Sequence, residues 1–177
     1  MPEKLLDSFI DHILQAPFNV TSIKTRERIN DILIIPSLDL IPFLSHGPLK
    51  IADGGTGAGI PGVPLALALP ASHFHLIESV RKKADYLKGW VRKNRIANIT
   101  VHKTRVENTP IKVDIGIARG MATLDKVLEN FSGIIKSRGL LYVQCGERVE
   151  AIIKNESFIL KNDKKVGQMR LLIYERF

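Results

Sequence analysis

Leu5, Leu6, Phe9, Ile10, Ile13 and Leu14 recur at helical spacing, with Glu3, Asp7, Asp11 and Gln15 on the opposite face. That pattern predicts an amphipathic helix over residues 3–16, ended by Pro17. A second helix is expected from Arg26 to Ile35, stopped by Pro36. From Lys50 the texture changes. Short apolar runs predict strands at 49–53, 73–78, 98–102, 113–117 and 140–144 (LLYVQ). Helical stretches separate them: one reaching about Leu69, one over 80–95 and one over 122–136. Such alternation predicts an α/β fold with a mostly parallel sheet covered on both faces. After Gly146 the pattern shifts again. Residues 147–154 read as a short helix, and FILKNDKKVGQMRLLIY as a closing antiparallel hairpin, two apolar runs around a polar middle.

The densest punctuation lies in LKIADGGTGAGIPGVPLAL, residues 49–67. Asp53 closes an apolar run, and Gly54, Gly55, Gly57, Gly59 and Gly62 follow within ten residues. Glycine at this density lets the backbone turn hard and leaves room beside it for a ligand. A bare turn needs fewer. Two ligand classes fit. Gly57-Ala58-Gly59-Ile60-Pro61-Gly62 satisfies the GxGxxG dinucleotide pattern, with Glu78 about 20 residues on as a ribose-binding acid. Asp53 with Gly55, Gly57 and Gly59 equally satisfies the acid-plus-glycine loop of S-adenosylmethionine binders. Two physical points favour the second. A pyrophosphate needs free N–H groups at the helix start, and Pro61 and Pro64 remove two of them. A carboxylate at Asp53 suits an ammonium or sulfonium and opposes a pyrophosphate.

Charge adds a candidate partner. The 177 residues carry a formal net charge of +8, which favours a polyanion such as nucleic acid or anionic lipid, or serves solubility alone. Arg81, Lys82, Lys83, Lys88, Arg92, Lys93 and Arg95 crowd the helix after strand two, while Ala84, Leu87 and Val91 mark its packed side. Phosphate contacts from such a helix position RNA without reading its sequence. Tyr86 and Trp90 are expected to pack against the sheet, and Lys161, Lys164 and Lys165 to lie in a hairpin turn. His12 and His46 are isolated, which predicts packing or surface roles. The single cysteine, Cys145, excludes an intramolecular disulfide and a cysteine zinc site. No window reaches the ~18 apolar residues of a membrane span. The opening MPEKLLDSFIDH carries charges inside its apolar run, unlike a signal peptide. The expected location is cytoplasmic. No Ser/His/Asp set, paired-carboxylate motif or metal cluster stands out in the sequence, which argues against hydrolysis.

DGGTGAGIPGVPLALALPASHFHLIES resembles the RsmG (GidB) family, methyltransferases that modify N7 of a guanine in bacterial small-subunit (16S) ribosomal RNA. The likeness continues through RKKADYL, NITVHKTRVEN, VDIGIARGMATL and GLLYVQCGE. Upstream, FNVTSI is similar to the family's NLTS segment, so that most of residues 17–147 are covered. The two prolines of GTGAGIPGVPLA make the match specific. The resemblance implies a Rossmann-like S-adenosylmethionine-dependent methyltransferase fold; the length predicts a single domain, with residues 1–46 a helical preface and 47–177 its core. The resemblance also implies S-adenosyl-L-methionine as cofactor and ribosomal RNA or the small subunit as partner; a monomer is expected. By the same match Asp53, Gly55, Gly57 and Gly59 would hold the methionine part, and Glu78 the ribose hydroxyls. Val106 and Glu107 would lie at the adenine. Arg119 would sit near the reacting centre as a catalytic residue, and would share the RNA with Lys82 and Lys83. A non-catalytic RNA- or ribosome-binding relative that keeps the fold is a second reading. A nucleotide-dependent oxidoreductase is a third, disfavoured by Pro61 and Pro64.

Three departures from the family stand out. The preface is short, DILIIPS replaces a histidine–leucine–aspartate–serine segment, and strand five ends Gln144-Cys145-Gly146 where the family has Leu-Lys-Gly. A neutral thiol thus replaces a lysine expected to face the RNA or the target base.

Overall fold

In the computed structural model, which describes residues 3–44 and 47–177, the predicted strands assemble into one seven-stranded sheet. They are β1 (Lys50–Gly54), β2 (His73–Ile77), β3 (Ile99–His102), β4 (Val113–Arg119), β5 (Ile135–Cys145), β6 (Phe158–Val166) and β7 (Met169–Arg176). Their order is β3-β2-β1-β4-β5-β7-β6. The first five run parallel, and β7 and β6 close the sheet antiparallel. The helices are α1 (Glu3–Leu14), α2 (Arg26–Ile29), α3 (Ile35–Leu38), α4 (Gly62–Ala68), α5 (Arg81–Lys93) and α6 (Leu124–Ser132).

Successive strand residues point to opposite faces, and the two faces have separate cores. Ile51, Phe74, Leu76, Ile115 and Ile117 pack with α1, the α2–α3 segment, α4 and α5. Ala52, Ile77, Ala118, Leu141 and Val143 pack with α6 and with Phe158 and Tyr174. Because β1 pairs with β2 on one side and β4 on the other, the chain reverses direction of travel across the sheet at β1. The crevice at the carboxyl end of β1 is where such sheets bind ligands.

Four sequence expectations need correction. Pro36 does not stop the second helix. The chain passes from α2 through a π-helical turn (Asn30–Ile34) into α3, with Pro36 in the first turn of α3. Proline lacks the N–H that a helix would use there, and the wide turn leaves carbonyls whose partners come from elsewhere in the molecule. Residues 147–154 form no helix. Their backbone is extended or turned because Arg170 reaches in from β7 to donate to the Val149 carbonyl at 2.5 Å and the Glu147 carbonyl at 3.3 Å, and Lys154 bridges to Ile159. Helix α6 ends at Ser132, four residues early, because Ile135 already pairs with Val113 as the first residue of β5. A register shift between Val113 and Ile115 absorbs the excursion through Arg138 and Gly139. Lys161, Lys164 and Lys165 stand along edge strand β6 rather than in its turn. They pair with Glu175, the Phe43 ring and Glu147 respectively, and lysines on an edge discourage further strand pairing.

Tyr86 is half-buried and Trp90 buried, and both meet α1. Tyr86 stacks on His12 at 3.9 Å and donates to the His12 carbonyl, while Trp90 packs on Phe9 and donates to Ser8 Oγ. His12 therefore has the packing role expected of it. His46 lies outside the described residues. Among the described residues no helix is long and apolar enough to cross a membrane.

Candidate active site

The loop between β1 and α4 is organised by Asp53. Its carboxylate is completely buried, and Oδ2 accepts from the Thr56 hydroxyl at 2.5 Å and the Gly62 N–H at 2.8 Å. One acid thus closes the loop on itself and caps the first turn of α4. Gly62 must be glycine, because a Cβ there would collide with Leu76 and stand 2.7 Å from Asp53 Oδ2. Gly57, at the crest, has φ +57, and a Cβ there would meet nothing nearer than the Gly55 carbonyl at 3.8 Å. The crest is open, and its backbone conformation favours glycine.

The start of α4 has nothing to offer a pyrophosphate. Pro61 and Pro64 lack N–H groups, the Gly62 N–H serves Asp53, and the Val63 N–H serves the Gly59 carbonyl. At the crest, the Gly57 N–H donates to Glu78 Oε2 at 2.9 Å. Asp53 offers the opposite. Its Oδ1 is buried with no hydrogen-bond partner among the described residues. Burial pushes its pKa up to about 7, against the lowering effect of Thr56, Gly62 and the Arg119 charge. An incoming cation supplies what that oxygen lacks.

Glu78, at the end of β2, is buried and spans two backbone donors, Gly57 and Val80. It therefore shapes the crest as well as lying where a ribose is expected. Gly55, Val106 and Glu107 line one cleft of about 550 Å³, together with Ile77, Thr104 and Met121. Val106 is buried against the end of β1, close to where a Cβ on Gly54 would lie, while Glu107 is exposed beside Arg105. Of the sequence-predicted cofactor residues, Gly55, Val106 and Glu107 thus share one cleft, Asp53 and Glu78 are buried beneath the loop, Gly57 stands at its crest, and Gly59 faces Val63, Leu87 and Phe9.

The proposed RNA residues are not brought together. Lys82 and Lys83 come from α5 on the β2 side of the loop, with Lys82 Nζ over the Phe18 ring at 5.2 Å. Arg119 comes from the β4 side. It is half-buried and its guanidinium is occupied: Nη2 donates to the Ile32 carbonyl at 2.5 Å and Nη1 to the Leu33 carbonyl at 3.4 Å. Those are carbonyls of the π turn. Burial lowers the Arg119 pKa from its ordinary value and the Asp53 charge raises it.

Cys145 lies at the carboxyl end of β5, opposite Arg170 of β7. Burial pushes its thiol pKa up, so it is neutral. Arg170 does not replace the missing lysine, because its guanidinium is held by both carboxylate oxygens of Asp163 at 2.8 and 2.6 Å. Sequence reasoning overlooked Thr56 and Gln144. Thr56 sits inside the glycine run, three residues after an acid, a spacing at which hydroxyl and carboxylate meet. Gln144, buried at the end of β5, donates to the Pro36 carbonyl at 2.7 Å, and nothing local in the sequence foreshadows a contact that distant.

Sheet order and the acid-closed glycine loop at the carboxyl end of β1 are those of an S-adenosylmethionine-dependent methyltransferase. An S-adenosylmethionine-dependent methyltransferase of Aquifex aeolicus has the same fold, with a TM-score of 0.65 and 18% identity over 89% of this chain and 98% of that one. Among curated relatives, the ribosomal RNA small subunit methyltransferase G of Alteromonas mediterranea is 30% identical over 154 residues, 83% of this chain and 72% of that protein. Its namesake in Mycobacterium sp. (strain KMS) is 34% identical over 139 residues, 76% of this chain and 61% of that protein. The chain belongs to the GidB family, rRNA small subunit methyltransferase G, whose family model matches residues 3–171.

Proposed function

We propose that this protein methylates N7 of a guanine in small-subunit ribosomal RNA, in the cytoplasm, using S-adenosylmethionine. The observation that carries the cofactor half is the pairing of Asp53 Oδ1, a buried acceptor without a partner among the described residues, with an α4 start whose N–H groups are spent or absent. That combination suits the ammonium of an amino acid and excludes a pyrophosphate.

When bound, S-adenosylmethionine supplies an electrophilic methyl: the N7 lone pair forms the new C–N bond, the S–C pair returns to sulfur, and no proton is lost. This chain then has to hold and align rather than to shuttle protons. Asp53 holds the ammonium, with Gly55, Gly57 and Gly59 letting the methionine part lie against the backbone. Glu78 accepts from the ribose hydroxyls on the lone pairs its two backbone donors leave free. Val106 packs on the adenine and Glu107 borders it. Arg119 fixes the π turn beside the reacting centre, and in this reading is a positioning residue rather than a catalytic one. Alignment of this kind is worth ~7–11 kcal/mol when the geometry is good. Lys82 and Lys83 lend charge for the RNA backbone.

Purified protein incubated with labelled S-adenosylmethionine and deproteinised 16S rRNA or assembled small subunits tests the reading. Label recovered as 7-methylguanine supports it; cofactor binding with no transfer to either substrate supports the non-catalytic relative. Titration calorimetry with S-adenosylhomocysteine and with NAD disposes of the oxidoreductase reading if only the first binds.

A further inference from the structure

A second cavity, of about 560 Å³, opens at the carboxyl ends of β4 and β5. It adjoins the cofactor cleft, sharing Ala122 as a common wall. Val127, Val143, Val149 and Met169 give it apolar sides, the lining that suits the faces of a planar base. Besides the Thr123 hydroxyl and the Cys145 thiol, which can also donate, its uncommitted polar side chains are acceptors. Gln144, 2% exposed, lines it, and its Nε2 donates to the Pro36 carbonyl. That bond sets which way the amide points and leaves Oε1 buried with no partner among the described residues. Glu150, on the segment that leaves β5, lines it too. It is exposed and makes no hydrogen bond or ion pair among the described residues. The one guanidinium in the lining, Arg119, is committed to Ile32 and Leu33. The other carboxylate, Asp125, stands in the first turn of α6, where the helix dipole already favours it.

We propose that this cavity receives the acceptor guanine and that Glu150 sets its specificity. Guanine carries its N–H donors, N1–H and N2–H₂, along one edge and N7 on the opposite side. A carboxylate accepting both donors turns N7 away from Glu150, and the cofactor cleft adjoins this cavity at the shared Ala122 wall. Adenine presents an unprotonated N1 on that edge and is repelled. Gln144 Oε1 is a further acceptor at the back of the cavity. The assignment rests on the guanine-N7 reading above and deepens it: the neutral Cys145 thiol no longer has to read the base, because an acid does.

The test uses purified full-length protein, S-adenosylmethionine and 16S rRNA carrying either guanosine or inosine at the mapped methylation position. Inosine lacks only the N2 amino group. Wild type is expected to prefer guanosine. Glu150→Ala is expected to lose about 10- to 100-fold in kcat/KM on guanosine, to lose the preference over inosine, and to bind S-adenosylhomocysteine as wild type does. A variant that keeps both rate and preference overturns the assignment, as does one whose only defect is cofactor affinity. A wild-type protein that makes no 7-methylguanine removes the underlying reading and this assignment together, an outcome distinct from the first two.

Discussion

The Arg119 guanidinium donates to the Ile32 carbonyl at 2.5 Å, which ties the end of β4 to the π turn between α2 and α3. Gln144 makes the parallel tie from β5 to the Pro36 carbonyl, and Tyr142 donates to the Phe43 carbonyl at 2.7 Å. Two neighbouring strand ends therefore hold the helical preface over the cofactor loop. Arg119→Ala leaves the Ile32 and Leu33 carbonyls without these donors, at a cost of ~1–3 kcal/mol. Hydrogen exchange should accelerate across residues 26–38 in that variant, and Arg119→Lys should restore part of the protection. Unchanged exchange in Arg119→Ala would show that the tie contributes nothing.

Asp53 links the cofactor to pH. Burial raises its pKa to about 7 from an ordinary 3.8. A raised carboxyl pKa means that the folded protein holds its proton more tightly than the unfolded chain, so this group's contribution to stability is full below pH 3.8 and falls as pH rises through 7. A ligand ammonium favours the ionised form. Binding of S-adenosylhomocysteine should therefore release a proton below pH 7 and tighten as pH rises toward 7, then level off. Calorimetry at pH 6 in two buffers of different ionisation enthalpy measures the released proton directly, and Asp53→Asn should abolish it. Equal enthalpies in the two buffers for wild type would mean that Asp53 is already ionised.

Glu78 has two duties that substitution separates. Its carboxylate receives the Gly57 and Val80 N–H groups at 2.9 and 2.7 Å, so Glu78→Ala should lower both the melting temperature and the affinity for S-adenosylhomocysteine, the latter by ~1–3 kcal/mol. Glu78→Gln keeps one good acceptor and should spare most of the stability while still weakening the ligand. Gly57→Val, with φ +57 at the crest, should remove binding. Wild-type affinity in all three variants would take the loop out of the account.

Salt dependence tests the basic helix. Arg81 is engaged with Asp85, which also pairs with Lys103, whereas Lys82 and Lys83 have no ion-pair partner among the described residues. If both contact phosphates, the slope of log affinity against log salt should fall by about 0.7–0.9 per lysine when they become glutamine. A slope indifferent to both would assign the cluster to solubility.

Much of the fold is legible in the chain because local signals agree with the global answer. Ile51 and Ala52 face the two different cores, and the α5 stripe of Ala84, Leu87 and Val91 is the face that packs. The cofactor loop is legible for a stronger reason: an acid, five glycines and two prolines leave the backbone few options. What was illegible depends on partners far along the chain. Pro36 reads as a helix stop because proline removes a donor, and only Arg119 and Gln144, some 80 to 110 residues away, accommodate the irregular turn. Residues 147–154 read as a short helix taken alone, until Arg170 claims the Glu147 and Val149 carbonyls. The substrate side is least legible, since the family's lysine is absent and Glu150 carries no motif.

Mass spectrometry of 16S rRNA from cells lacking this gene, and from the same cells complemented with it, decides whether the protein methylates a guanine at N7. One guanine is expected to lose a methyl group, a shift of about 14 Da, in the deletion strain and to regain it with the wild-type gene but not with Gly57→Val, the modification mapping to N7 by its lability to base-site cleavage. Identical rRNA spectra with and without the gene, or a methyl lost from any atom other than guanine N7, would contradict it.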